Sequence, residues 1–220
     1  MGITSQLASA RYIQSGTCTS STRPTAPYQG QMIYETDTNM ILLWNGSTWQ
    51  LPFEQRYQRI TLTNDTTTSI TISGIPQYGN TLHFRGQMRS MRNYSTNTGG
   101  RWRINGLTGA SDYIGNINNA GAGGYTSVFG YLGQIPDAGD TVSGEYQTFE
   151  GYIPDYSTNT QGQSRKTVTI TSGSNVAGTY VISTLVGSTS GCGAVTSVFI
   201  QDDISGALRA GTYLEVWIGA

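Results

Sequence analysis

The chain has 220 residues, a formal net charge of −1 and only 11% charged residues, against about 25% in an ordinary globular protein. Near-neutrality removes the field that would draw it to a phosphate backbone, so nucleic acid is excluded as a partner. No stretch reaches the roughly 18 consecutive apolar residues of a membrane-spanning helix, which argues against a membrane partner. Hydrophobic residues make up 36%, and Gly (29), Tyr (14), Thr, Ser, Asn and Gln fill the gap, a mixture that suits strands and turns rather than a coiled coil or charged disorder.

The start, Met1-Gly2-Ile3-Thr4-Ser5-Gln6, lacks the charged and apolar regions of a signal peptide. Gln6 stands where a myristoylation pattern needs Ser or Thr. Synthesis in a reducing cytoplasm is therefore expected, with Cys18 and Cys192 as two free thiols. Ile3, Leu7, Ala10 and Ile13 have the spacing of a short amphipathic helix, and Ser15 to Thr22 is a polar linker by composition. Residues 1–22 are expected to form an N-terminal arm that orders on docking.

Residues 23–52 predict a three-strand meander. Arg23 to Gly30 is an extended, Pro-punctuated lead-in. Gln31 to Glu35 is a strand, Thr36 to Asn39 a turn, and Met40 to Trp44 an apolar strand. Asn45-Gly46 predicts a type I′ hairpin turn, and a third strand from Thr48 to Leu51 stops at Pro52. Met32, Ile33, Tyr34, Met40, Ile41, Leu42, Leu43, Trp44 and Trp49 are more apolar surface than a lone small sheet hides. Another copy of the chain or a larger partner is expected to cover it, through Ile33, Tyr34, Leu42, Trp44 and Trp49.

Residues 53–58 are expected to be a connector, and 57–220 a β-sandwich. Period-two strands are predicted around Ile60/Leu62, Ile70/Ile72, Leu82/Phe84/Met88, Trp102/Ile104 and Val128/Phe129. More follow at Tyr146 to Tyr152, Val168/Ile170, Tyr180 to Leu185, Val198 to Ile200 and Leu214/Val216/Ile218. Ala120 to Gly124 and Gly187 to Gly193 are expected loops. The fold class is all-β: a small N-terminal meander followed by a sandwich or barrel.

The segment Arg23 to Gln50, RPTAPYQGQMIYETDTNMILLWNGSTWQ, resembles a module of tailed-bacteriophage fibre and decoration proteins. Their shared core is RP…G…IYETDT…W(N/D)G..W, matched at Arg23, Pro24, Gly30, Ile33 to Thr38, Trp44, Asn45, Gly46 and Trp49. More loosely, Leu82 to Ser90, Arg103 to Gly106, Tyr152 to Tyr156 and Gly211 to Gly219 resemble the outer domain that often follows. Relatives carry an acid at the position of Leu107, so any ion or ligand role of that acid is in doubt. The resemblance implies a jelly-roll-like sandwich, a homotrimer, and a virion protein that meets capsid or tail proteins through its N-terminal arm.

His83 is the single histidine and alternates with Leu82 and Phe84, as a strand surface position does. Histidine-rich zinc chemistry is thereby excluded, and no G-x-S-x-G elbow, P-loop or H-E-x-x-H is present. Asp202 and Asp203 suggest a turn. Glu145 and Glu150 flank Tyr146 and Phe149, but nothing marks them as the facing pair a glycosidase needs. Asp112, Asp137 and Asp140 are solvated loop acids on the plain reading and calcium ligands on the sharper one. Alternation along Arg101-Trp102-Arg103 puts both guanidiniums on one strand face, within a cluster that includes Arg85, Arg89 and Arg92. Arg101, Arg103, Tyr94, Tyr113 and Tyr125 are the candidate contacts for a partner or a host glycan. No catalytic residue, cofactor or metal is assigned. The expected function is structural, with a polysaccharide-binding adhesin as the alternative and a depolymerase third.

Overall fold

The computed structural model describes residues 16–65, 69–91, 98–107, 115–119, 122–127, 131–135, 146–158, 166, 168–173, 181–182, 193–202 and 207–220. The chain divides into two units, Met1–Pro52 and Phe53–Ala220. All regular structure among the described residues is β. The expected helix from Ile3 to Ile13 lies outside them.

In the first unit, β1 (Gly16–Cys18), β2 (Met32–Glu35), β3 (Met40–Trp44) and β4 (Trp49–Gln50) form one sheet in the order β1-β2-β3-β4. β1 runs parallel to β2 and the other pairs are antiparallel. The linker predicted at 15–22 thus contains a strand. Short polar residues form it because the Cys18 carbonyl accepts the Thr36 amide at 2.9 Å and the sheet edge supplies the remaining partners. The turn at Asn45-Gly46 is not type I′, which needs positive φ at both central residues. Here Gly46 alone of the two has positive φ (104°). Asn45 Oδ1 accepts the amides of Ser47 at 2.9 Å and Thr48 at 2.8 Å, an Asx-type closure.

Register opposes Ile33 to Leu42, Glu35 to Met40 and Trp44 to Trp49 on one face of this sheet. Ile33, Glu35, Met40 and Leu42 are at most 1% exposed in the single chain. This corrects the expectation that Ile33 and Leu42 need a partner to cover them. Strand alternation puts both on the buried face, and a count of apolar residues does not reveal faces. Met32, Tyr34, Ile41, Leu43, Trp44 and Trp49 stay half-buried, with the two indoles 5.4 Å apart.

The second unit contains β5 (Gln55–Thr61), β6 (Ser69–Ser73), β7 (Thr81–Met88), β8 (Thr98–Ile104), β9 (Gly115–Asn119) and β10 (Ala122–Ser127). It continues with β11 (Tyr131–Ile135), β12 (Gln147–Pro154), β13 (Thr169–Gly173), β14 (Val181–Ile182), β15 (Ser197–Asp202) and β16 (Tyr213–Gly219). Three antiparallel sheets result: β13-β12-β7-β16-β5, β11-β8-β15-β6 and the small β10-β9-β14. The connector expected at 53–58 is mostly strand, since β5 starts at Gln55. The loop expected at 120–124 gives its last residues to β10. The strand expected at Val128/Phe129 lies outside the described residues, as do Tyr180 and Ser183 to Leu185.

The first two sheets turn their apolar faces together. Leu82, Phe84, Met88, Ile153, Leu214, Val216 and Ile218 from one, and Ile70, Ile72, Trp102, Ile104, Val198 and Ile200 from the other, are no more than 2% exposed. Phe84 on β7 meets Trp102 on β8 with ring centroids 5.8 Å apart, which joins the two layers into a sandwich. Within the five-stranded sheet two glycines make room for aromatics. Gly86 stands opposite Phe149 and Gly151 opposite Phe84. A Cβ on Gly151 would lie 2.1 Å from the Phe84 ring, and one on Gly86 would lie 2.6 Å from Phe149 and 2.2 Å from the Tyr213 carbonyl.

Polar side chains fasten the loops that follow β8 and β12. Tyr156 is fully buried and donates to the Pro76 carbonyl. Its phenol pKa is pushed up to about 12 by burial. Lys166, 2% exposed, donates to the carbonyls of Asp155 and Thr158 and to Thr158 Oγ1. Asn105, with φ 51°, accepts the amides of Thr196 at 2.8 Å and Ser197 at 3.3 Å through its side-chain oxygen.

Candidate functional site

The outer face of the five-stranded sheet carries the molecule's densest polar constellation among the described residues. Strand alternation dictates its members. On β7 the odd residues His83 and Arg85 point away from the core; on β16 Tyr213, Glu215 and Trp217 do so; on β12 Thr148, Glu150 and Tyr152. Register then sets them in rows. Glu150, Arg85, Glu215 and Arg59 lie side by side across β12, β7, β16 and β5. The next row runs Tyr152, His83, Trp217 and Arg56.

The charged row alternates in sign, so each neighbour is attractive. Glu215 is only 2% exposed. It accepts the Arg85 Nε–H and lies 3.6 Å from Arg59. Burial alone would raise its carboxyl; the hydrogen bond and charge of Arg85, with Arg59 beside it, outweigh that and hold it below the usual carboxylate range. The same hydrogen bond raises Arg85 further. Both guanidiniums also cover rings, Arg59 at 3.8 Å from the Tyr213 centroid and Arg85 at 5.0 Å from that of Trp217.

Beside this row lies a shallow cavity of about 190 Å³ lined by Glu54, His83, Arg85, Glu150 and Trp217. Glu54 Oε1 is 2.7 Å from His83 Nδ1. A carboxylate only accepts, so His83 Nδ1 is the donor in this contact and Nε2 faces the cavity. Glu150 Oε1 stands 3.9 Å from that nitrogen, too far for a direct bond. Tyr152 packs edge-on to the imidazole, centroids 5.0 Å apart. The sequence left this site unassigned. Alternation placed His83 on a strand surface, but Glu54, His83, Glu150 and Trp217 meet only through strand pairing across long sequence separations.

The residues that the sequence did single out are scattered. Arg101 and Arg103 sit on the outer face of the other sheet, both half-buried, with Trp102 fully buried opposite. Arg103 lies 5.7 Å from the Phe199 centroid. Tyr125 belongs to β10, paired with Ile117 of β9. Tyr94 and Tyr113 lie outside the described residues, as do Arg92, Asp112, Asp137, Asp140, Glu145, Asp203 and Cys192. Asp202 ends β15 rather than forming a turn, is 1% exposed, and accepts from the Ser90 hydroxyl. Cys18 is a free thiol, its pKa raised by burial and by Glu35. Among the described residues no three His, Cys, Asp or Glu side chains gather as a metal would need.

In the first unit the residues Arg23 and Glu35 to Thr38 are all bonded to one another or to the neighbouring strand. Arg23 pairs with Glu35. Thr38 Oγ1 donates to Glu35 at 2.9 Å. Asp37 accepts the Ser20 amide at 2.9 Å and its hydroxyl at 2.6 Å, and that hydroxyl bond holds the Asp37 carboxyl below its ordinary range. Comparison with family models, with curated proteins and with solved structures found no match.

Proposed function

We propose that this chain is a structural protein of a tailed-phage virion, a head decoration or fibre or a tail component, acting by assembly and surface display rather than catalysis. Residues 1 to about 22 anchor, 23–52 hold three copies together, and 57–220 are displayed. The observation that carries the reading is that the module from Arg23 to Gln50 spends its polar side chains on bonds to itself and to the neighbouring 16–22 segment. Its shared residues act as fold determinants, through the Arg23–Glu35 pair and the Thr36, Asp37 and Thr38 fastenings. Likeness in such residues points to a shared fold and use, not to a shared ligand.

We read the displayed unit as a jelly roll. Numbered one to eight, β5, β6, β7, β8, β11, β12, β15 and β16 fall in the orders one-eight-three-six and two-seven-four-five in the two sheets. Consecutive strands mostly cross between layers, as two interleaved Greek keys require. The half-buried Met32, Tyr34, Ile41, Leu43, Trp44 and Trp49 of the first unit are the apolar residues left for sister chains to cover.

Two measurements test this reading. Sedimentation equilibrium of the purified chain is expected to give three times 23.7 kDa; a stable folded monomer at micromolar concentration removes the trimer. Mass spectrometry of density-gradient-purified particles from a producing culture is expected to recover the chain with the particles. Recovery only in the soluble lysate removes the virion role.

A further inference from the structure

We propose that the cavity on the outer face of the five-stranded sheet is a saccharide subsite that takes one neutral or amino-bearing pyranose unit. Its position differs from the loop tyrosines and the Arg101/Arg103 face singled out by sequence.

Size comes first. Pockets that enclose drug-sized ligands hold roughly 300–1,000 Å³, and this one holds about 190 Å³, room for one ring rather than an oligomer. Its shallow form suits a unit presented on a longer chain. Chemistry comes second. Glu54 and Glu150 are acceptors on opposite sides of His83, 2.7 Å from Nδ1 and 3.9 Å from Nε2. The gap at Nε2 leaves that nitrogen and the Glu150 carboxylate side by side without bonding each other. Neighbouring ring hydroxyls can donate to the Glu150 carboxylate and exchange a hydrogen bond with Nε2, and Arg85 supplies a donor to the sugar's oxygens. Trp217 and the exposed Tyr152 supply the apolar surfaces on which a pyranose C–H face packs.

Charge decides the kind of sugar. The cavity lining holds two carboxylates, Glu54 and Glu150, and one guanidinium, Arg85, which the buried Glu215 already engages. An acidic sugar would face those two carboxylates; a hydroxyl-rich or amino sugar would not be repelled by them. The row through Glu215 also holds Arg85 in place before any ligand arrives, which lowers the ordering cost of binding.

The test is saturation-transfer NMR on the full chain with methyl pyranosides of glucose, galactose, mannose, N-acetylglucosamine and glucosamine, and with methyl glucuronide. At least one neutral or amino sugar is expected to receive saturation at millimolar concentration, and the glucuronide less than its neutral counterpart. Glu150→Gln and Tyr152→Ala, both at exposed positions, are each expected to weaken binding about tenfold, the scale of one charge-assisted bond or one ring contact, with the melting temperature unchanged. No transfer from any neutral or amino sugar overturns the proposal, and so does binding unaltered by both substitutions. The virion reading does not depend on the outcome, since particle association is measured separately.

Discussion

Gly151→Ala isolates the tightest packing in the sandwich. A Cβ at this position would stand 2.1, 2.4 and 2.5 Å from three atoms of the Phe84 ring, well inside the roughly 3.5–4.0 Å at which carbon atoms attract. The ring has nowhere to go: it is fully buried, and Trp102 sits 5.8 Å away on the facing sheet. Overpacking a filled core costs about 1–3 kcal/mol and sometimes more. Relief by restricting the unfolded chain returns only about 0.4–1 kcal/mol. Three contacts this short call for the upper end of that cost, so a net loss of about 2–2.5 kcal/mol is expected, a fall of roughly 4–10 °C in melting temperature for a unit of this size. Urea unfolding followed by far-UV circular dichroism measures it. The companion Phe84→Leu removes part of the ring and opens space, costing on its own about 1–3 kcal/mol. Combined with Gly151→Ala it is expected to cost less than the two singles added, by at least about 1 kcal/mol. A neutral Gly151→Ala, or strict additivity in the double variant, refutes the claim that this glycine exists to seat Phe84.

Further expectations concern buried charge and pH. Arg23→Met leaves the fully buried Glu35 without its cation, which costs about 3–5 kcal/mol, and should expose residues 16–52 to proteolysis; Arg23→Met with Glu35→Met is expected to recover most of the loss. Tyr156 has its pKa raised from 10.0 to about 12, so the folded state keeps a proton that the unfolded chain gives up. Its contribution is complete below pH 10 and fades as the pH rises towards 12, by roughly 3 kcal/mol; equilibrium unfolding of Tyr156→Phe should show a flatter alkaline decline. Glu215 has a lowered pKa, so its contribution is present above the ordinary carboxyl value of 4.5 and is lost as the pH falls through the depressed folded value. Glu215→Gln should be less stable at neutral pH and flatter in acid, as read by thermal melts across that range.

Period-two alternation made much of the sandwich legible. Leu82-His83-Phe84-Arg85 and Leu214-Glu215-Val216-Trp217 announce both their strands and their faces, and the structure keeps those faces. Elements without apolar alternation were illegible. β1 is Gly16-Thr17-Cys18, and β5 begins Gln55-Arg56-Tyr57-Gln58-Arg59, a mostly polar edge strand held by β16 on one side. Charge on an edge is what keeps such strands from pairing with other molecules, and it also hides them from a search for hydrophobic pattern. β9 and β10 are hidden by their glycines and asparagines. The cavity was illegible for a different reason. Each of its side chains occupies a readable outward position, yet which strands are neighbours is a long-range fact. Glu215 faces Arg85 across β16 and β7, 130 residues apart, and local sequence does not encode that pairing.

The two units spend their polar side chains in opposite ways. In the first, Arg23, Glu35, Asp37 and Thr38 are consumed by internal bonds, with Glu35 fully buried. Altering any of them changes the fold before it changes recognition. On the five-stranded sheet, Glu215 is also buried, but what covers it is a layer of long side chains, Arg59 and Arg85 laid over Tyr213 and Trp217. That layer is tied down by hydrogen bond, ion pair and ring contact, and its outermost members are the more exposed ones. Glu150 with a side chain 64% exposed and Tyr152 at 38% lie at its margin, beside Arg85 and edge-on to His83. Substitution there retunes what the sheet touches at little cost to stability. On the proposed virion reading, one unit with its polar groups committed inward and another with replaceable outer contacts would let attachment and recognition change independently.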